Sequence, residues 1–312
     1  MTGHYSREFQ PSARSVQTLL QFMQTIQLGR TGVALSALGL GAMPLSTRGR
    51  PSEADAHRVI NSAIDEGMTL IDTADAYCVD ERDAGHNERL IAAALRRRSD
   101  GASVRVATKG GYRRPGGDWK VDASPKHLRD ACERSLRALG VDRIFLYQLH
   151  APDPAIPFER SMDTLAALKN EGKIEHVGLS NVDVDQIGAA QEIVEIASVQ
   201  NRLNPYFREA VEEGVVKECE SRGITFLAYS PVGGGRLARK IPSFPVLQQL
   251  AARYNCSPHA VVLAWVRAQG KTVLPIPGAS RVESAVDSAL SATLTLSEDD
   301  LQTISRSEFS RA

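Results

Sequence analysis

The feature that most constrains this chain is a repeated alternation: short, nearly continuous apolar runs separated by amphipathic stretches of helical length, beginning near residue 36. The runs are Leu35–Leu40, Thr69–Asp72, Val104–Thr108, Ile144–Leu149, Lys173–Leu179, Ile196–Gln200, Thr225–Tyr229 and Val273–Ile276. Each has strand length, as expected of parallel strands buried on both faces. The intervening pattern predicts helices over Ala54–Glu66, Asn87–Arg97, Pro125–Leu139, Phe158–Asn170, 183–190, 209–221, 246–254 and 258–269. Ser52 and Ser124 stand where N-caps belong, and Gly67 and Gly140 where helices stop.

Eight strand and helix steps without an interior linker predict an α/β chain closed as a (β/α)8 TIM barrel. It is expected to be a single domain over residues 23–312, with its active site at the C-terminal ends of the strands. An open doubly wound sheet is the alternative, and it normally carries a GxGxxG turn after its first strand. Gly39-Leu-Gly-Ala-Met matches that turn poorly, and the glycines Gly233-Gly234-Gly235 follow the seventh run instead.

Composition narrows the function classes. Lys and Arg number 37 against 37 Asp and Glu, so no basic excess announces a nucleic-acid partner. The dense run Arg96-Arg97-Arg98 reads as a helix end that favours the helix dipole. No apolar run is long enough to span a bilayer. Residues 1–22 lack the apolar core of a signal peptide, and are expected to form a disordered extension of a cytoplasmic protein. Cys78, Cys132, Cys219 and Cys256 are far apart with no CxxC pair, which suits reduced thiols. The seven histidines make no HxH or HExxH pattern, so no metal site is expected.

Catalytic groups of such a barrel come from the C-terminal ends of different strands. The second run ends in Asp72, the third in Lys109, the fourth in His150, the fifth in Ser180-Asn181, the sixth in Gln200 and the seventh in Tyr229-Ser230. Singly, each suits a modest role: Asp72 a helix cap, Lys109 a solvated loop residue, His150 a turn. On one rim, a carboxylate beside an ammonium keeps the lysine charged, and a lysine charge favours phenolate in a nearby tyrosine. Tyr77, five residues after Asp72, reaches the same mouth.

These residues resemble those of the aldo-keto reductase superfamily over roughly residues 24–305. The segment Gly67-Met-Thr-Leu-Ile-Asp-Thr-Ala-Asp-Ala-Tyr77 is similar to the family's most specific signature. Ala107-Thr-Lys-Gly-Gly, Leu146-Tyr-Gln-Leu-His, Val177-Gly-Leu-Ser-Asn, Ser198-Val-Gln-Asn-Arg and Gly85-His-Asn-Glu88 match it further. The resemblance implies that Tyr77 acts as general acid, that Lys109 paired with Asp72 lowers the pKa of that phenol, and that His150 orients a small-molecule carbonyl. Hydride then comes from bound NADPH, or from NADH as the alternative. By the same resemblance Ser180, Asn181 and Gln200 hold the carboxamide and Tyr229 stacks on the nicotinamide ring. Ser230, Pro231 and Gly233, in the loop to Leu237, approach the pyrophosphate. In the last loop, Pro275-Ile-Pro-Gly-Ala-Ser-Arg-Val-Glu-Ser284, the family's usual arginine aligns with Ser284 and its asparagine with Ser288. Gly278, Ser280 and above all Arg281 are left to meet an adenosine 2′-phosphate.

The resemblance leaves substrate and direction open. The loop Gly110–Val121 is the most distinctive pocket wall, with Trp119 suited to an apolar substrate and Arg113 and Arg114 to an anionic one. Pro44 and Leu45 are expected to line the pocket too. An alcohol or sugar dehydrogenase working on the same residues, or a nucleotide-sensing regulatory subunit with little catalysis, are the alternative functions.

Overall fold

In the computed structural model, which describes residues 23–311, eight parallel strands run in sequence order around one sheet. They are β1 (Leu40–Gly41), β2 (Leu70–Asp72), β3 (Arg105–Gly110), β4 (Ile144–Leu149), β5 (Ile174–Ser180), β6 (Ile196–Arg202), β7 (Thr225–Tyr229) and β8 (Val273–Ile276). Closure comes where β8 returns to β1. Gly39 N–H donates to the Pro275 carbonyl at 3.0 Å, Gly41 N–H donates to that of Pro277 at 2.9 Å, and Gly41 bridges Gly278 in parallel. A Cβ on Gly41 would stand 2.7 Å from the Ile276 carbonyl oxygen, so the seam needs glycine. The expected (β/α)8 barrel is therefore the fold, and the expected extension 1–22 lies outside the described residues.

The helices alternate with the strands: α1 (Glu53–Asp65), α2 (His86–Arg96), α3 (Pro125–Leu139), α4 (Phe158–Asn170), α5 (Val184–Gln191) and α6 (Val215–Arg222). Then come α7 (Gly235–Lys240), α8 (Pro245–Tyr254), α9 (Pro258–Arg267), α10 (Val282–Leu290) and α11 (Glu298–Arg306). Ser52 caps α1 by accepting from Asp55 N–H, Ser124 caps α3 by accepting from His127 N–H, and Gly140 ends α3 in the left-handed region. These are the signals read from the sequence. The stretch 209–221 is not one helix, because Gly214, at φ 83°, breaks it into Glu209–Glu212 and α6. Three helices, α7, α10 and α11, were not expected; α7 has only six residues and starts among glycines.

The first apolar run also divides. Ala34–Ser36 pairs antiparallel with Thr25–Gln27, and only Leu40–Gly41 joins the barrel. This hairpin closes the N-terminal end of the barrel. Leu28 and Leu35 pack there with Leu70, Ala107, Leu146, Leu227 and Leu274, all fully buried. Thr225 Oγ1 accepts from Gly29 N–H and donates to the Gln27 carbonyl. The run's apolar character thus serves two packing tasks, which a period-2 reading cannot separate.

Strand periodicity then builds the site. In β2, β3, β4 and β7 the inward residues one layer above that floor stand two positions on: Asp72, Lys109, Gln148 and Tyr229. The intervening residues Ile71, Tyr147, Phe226 and Ala228 face the surrounding helices.

Candidate active site

At the C-terminal end of the barrel, one carboxylate anchors the polar cluster. Asp72 Oδ2 accepts from Lys109 Nζ at 2.5 Å. Its other oxygen, Oδ1, accepts from Gln200 Nε2 at 2.8 Å and from Gln148 Nε2 at 3.2 Å. Lys109 Nζ directs its remaining protons to the Thr73 carbonyl at 2.9 Å and the Tyr77 hydroxyl at 3.0 Å. All three donors of a fully buried ammonium are satisfied, the condition under which such a pair is tolerated. Because the Tyr77 oxygen accepts from Lys109 and has no other hydrogen-bond partner among the described residues, the phenol's own proton is uncommitted.

Gln148 went unnoticed in the sequence, although an amide inside the run Ile-Phe-Leu-Tyr-Gln-Leu was a visible anomaly. The space for it is provided by Gly178, where a Cβ would lie 2.8 Å from Gln148 Cγ. Gln200 joins the same cluster: its amide nitrogen donates to Asp72 and Gln148 inside the barrel.

The electrostatics follow from burial. It raises the Tyr77 pKa well above the ordinary phenol value, with Asp72 and Tyr229 adding to the effect. The expected lowering by Lys109 is therefore not what this site shows: Asp72, on the other side of the ammonium, offsets its charge, and desolvation dominates. Lys109 itself is lowered by burial against the opposing pull of Asp72. His150 is held well below its usual value, first by burial and then by the Lys109 charge. Its imidazole is neutral, and its buried Nδ1 has no partner among the described residues. The ring meets Tyr77 edge-to-face at 5.7 Å between centroids.

Over these groups stands a small hairpin, Tyr112–Arg113 paired with Lys120–Val121, in the stretch read as a loop. Trp119 lies 6.3 Å from the Tyr77 ring and 6.2 Å from His150, while Tyr112 lies 4.7 Å from His150, every pair edge-on. These four rings form one aromatic wall, with Trp119 46% exposed. Arg114 does not face a substrate anion as expected: it is buried under Trp119 with its guanidinium on backbone carbonyls. Leu45 is likewise in the core beside α1 rather than in the pocket, and Pro44 packs at Gly278. Cys78 is fully buried, and burial pushes its thiol up to about 11 despite Arg114, so it is a structural thiol.

A second chain of bonds runs along the rim. Ser180 Oγ donates to the Gln200 carbonyl, and Asn181 Nδ2 donates to the His150 carbonyl at 2.9 Å. Tyr229 Oη donates to Asn181 Oδ1 at 2.8 Å. Asn181 and Ser230 both have positive φ, 59° and 49°, a strained conformation that tends to gather at functional mouths. Asn204, unnoticed in the sequence, donates to the Ser230 carbonyl and fixes that turn. After it, Pro231 is buried, Gly234 and Gly235 are exposed, and Gly233, at φ 88°, has no room for a Cβ against Leu237 and Tyr206.

Ser280 and Arg281 stand apart from this cluster, exposed at the start of α10. That helix has no side-chain cap, so free backbone N–H groups and an arginine share one spot, a donor set that fits a phosphate. Ser288 offers nothing there, since its hydroxyl donates to the Ser284 carbonyl. Exposed glycine backbone after β7 and this cationic corner after β8 fit a dinucleotide lying across the mouth.

Fold and site together define a single-domain (β/α)8 barrel with a phenol, ammonium, carboxylate and imidazole gathered at its C-terminal mouth. The aldo/keto reductase family model matches residues 37–308. A probable aldo-keto reductase 1 of Glycine max is 32% identical, covering 90% of this chain and 88% of its own. Among solved structures, the glycerol dehydrogenase of Gluconobacter oxydans superposes with a TM-score of 0.77 at 27% identity, covering 90% of this chain and 93% of that one. An aldo-keto reductase of Klebsiella pneumoniae in complex with NADPH superposes at 0.76 and 26% identity, covering 91% and 95%. This chain belongs to the aldo/keto reductase family, and it is an oxidoreductase.

Proposed function

We propose that this protein reduces a small aldehyde or ketone to an alcohol with NADPH, using Tyr77 as the general acid. The observation that carries this reading is the Tyr77 oxygen, which accepts from Lys109 while its own proton is uncommitted. Bound nicotinamide supplies the hydride. Tyr77 Oη gives its proton to the carbonyl oxygen, and the phenolate left behind keeps the Lys109 ammonium at its side. Asp72 holds that ammonium in place, and Gln148 and Gln200 hold Asp72. The neutral His150 donates to the same carbonyl oxygen from the opposite side. Tyr112 and Trp119 exclude water and favour a substrate with an apolar body. Ser180, Asn181 and Tyr229 face the nicotinamide end, Ser230, Pro231 and Gly233 the pyrophosphate, and Gly278, Ser280 and Arg281 the 2′-phosphate. The preference for NADPH rests on Arg281 and is supported by the Klebsiella pneumoniae relative.

A second reading, oxidation of an alcohol or polyol on the same residues, is favoured by the likeness to a glycerol dehydrogenase. The reading also places the enzyme in the cytoplasm, where four unpaired thiols stay reduced. It further takes residues 23–312 as the whole catalytic unit, so deletion of 1–22 is expected to leave turnover unchanged.

The test is nicotinamide absorbance with NADPH and NADH in parallel, against aldehydes, ketones, dicarbonyls and sugars, and in reverse against alcohols, for the protein and Tyr77→Phe. Carbonyl turnover that collapses in Tyr77→Phe supports the reading. Turnover confined to alcohols favours the second reading, and binding of neither cofactor overturns both.

A further inference from the structure

Arg114 is buried to 7% exposure without a carboxylate partner among the described residues. A buried charge without an ion pair is costly unless every donor is satisfied. Here all are. Nη1 donates to the carbonyls of Ala76 at 3.2 Å and Cys78 at 2.8 Å, while Nη2 donates to those of Val79 at 3.3 Å and Gly117 at 2.7 Å. Nε adds a second bond to Gly117 at 3.2 Å. Five N–H groups thus meet four carbonyls, and two of these belong to the residues on either side of Tyr77. The guanidinium carbon also lies 4.0 Å from the centroid of Trp119. Its backbone continues the join: the Arg114 carbonyl accepts from Glu81 N–H, and Glu81 Oε2 accepts from Gly116 N–H.

We propose that Arg114 is a positioning residue that fastens the loop carrying Tyr77 to the hairpin carrying Trp119, so that acid and pocket wall are set as one body. Among the described residues, no other side chain bonds the carbonyls of Ala76 and Cys78 by an N–H donor. The Tyr77 oxygen has only the single bond from Lys109 to place it. Without the clamp, the backbone on both sides of the phenol keeps its local turn bonds, Tyr77 N–H to the Ala74 carbonyl and Cys78 N–H to that of Ala76, but loses the side-chain tie to the hairpin. Misplacement of an acid by about 1 Å can cost about 100-fold in rate. Lysine cannot substitute, since its ammonium lacks both the planar fork and the stacking face. The inference rests on the reading of Tyr77 as general acid.

The experiment compares the full chain with Arg114→Ala and Arg114→Lys by steady-state kinetics, NADPH binding and hydrogen exchange. For Arg114→Ala the expected result is a kcat lower by about 10- to 100-fold, an NADPH Kd essentially that of the parent, and faster exchange confined to residues 74–81 and 112–121. Added guanidinium at millimolar concentration is expected to restore part of the kcat in Arg114→Ala and none in Arg114→Lys. A kcat unchanged in both variants of an active protein overturns the proposal, as does unchanged exchange around Tyr77. Exchange rising evenly over the whole barrel also overturns it, because the role is then general stability. If Arg114→Ala does not fold, Arg114→Lys decides by the same readings. If the parent shows no turnover, the reading of Tyr77 fails while local exchange still decides the clamp.

Discussion

The two sides of the barrel mouth are built on opposite rules. On the side of β2 to β4, three charged groups are buried and committed: Asp72 takes three donors, Lys109 gives three bonds, and Arg114 gives five. After β7 and β8 the groups are exposed and uncommitted: Gly234, Gly235, Ser280 and Arg281 face outward. On the proposed reading the first side holds the proton donor, which must be placed to a fraction of an ångström and so has its surroundings completed by the protein itself. On the same reading a dinucleotide brings its own partners to the other side, which suits a rim that leaves its donors free.

This contrast makes Tyr77→Phe the most damaging substitution on the committed side. The variant keeps the ring and its contact with His150 and removes only the hydroxyl. A kcat lower by about 10²- to 10⁴-fold is expected, with NADPH affinity unchanged by fluorescence titration. The acid works only while protonated, so activity is present below the phenol pKa and lost as pH rises through it. Since that pKa is raised by burial, and His150 is lowered and neutral, the reductive kcat is expected to be flat from about pH 6 to about pH 9. A bell centred near neutrality breaks the assignment of these two groups.

Arg281→Ala probes the open side. Loss of one charge-assisted contact to phosphate is expected to raise the KM for NADPH by about 10- to 100-fold, leaving kcat and the KM for NADH unchanged. Equal effects on both cofactors move the 2′-phosphate away from this corner, and the contrast then loses its free cation.

Gln148→Leu sharpens the comparison by removing a single donor from the committed cluster. Asp72 Oδ1 then keeps only Gln200, and a drop in kcat of about fivefold to tenfold is expected, the equivalent of one hydrogen bond of about 1 kcal/mol. An unchanged kcat means that Gln200 alone holds the carboxylate.

The same contrast explains what could be read in the sequence. The barrel was legible because each buried strand repeats one apolar signal, and Ser52, Ser124 and Gly140 mark helix ends locally. Asp72, Lys109 and His150 were legible as polar residues closing apolar runs. Gln148 was hidden because it sits one residue inside its run, and its partner Asp72 is 76 positions away. Arg114 looked like a loop cation; nothing in the local sequence shows that four carbonyls close around it. The raised pKa of Tyr77 was not legible because it comes first from burial, which no local sequence shows, with Asp72 and Tyr229 adding to it. The helix α10 was missed because its short run follows a proline and glycine loop with no capping side chain.

The smallest expected effect tests whether the committed side tolerates its own charges. Asp75 is 3% exposed, and burial, with Glu88 adding to it, raises its carboxyl to about 7. Arg134 opposes the shift from 3.4 Å without cancelling it. Asp75 Oδ1 is buried without a hydrogen-bond partner among the described residues, and the Glu88 carboxylate stands close enough to disfavour its charge, so the cluster welcomes a proton. A carboxyl raised on folding binds its proton more tightly in the native state. Its contribution is therefore fully present below its ordinary value, 3.8, and lost as pH rises through about 7. An amide in its place has no such dependence. The difference in Tm between Asp75→Asn and the parent is thus expected to shift in the variant's favour by roughly a few degrees from about pH 5 to about pH 8, measured by circular dichroism in matched ionic strength. The difference removes the titration of every other group, which a single melting curve cannot do. Parallel curves across that range mean that Arg134 holds Asp75 ionised throughout, and that the polar side of the mouth is sealed by ion pairs rather than by a shared proton.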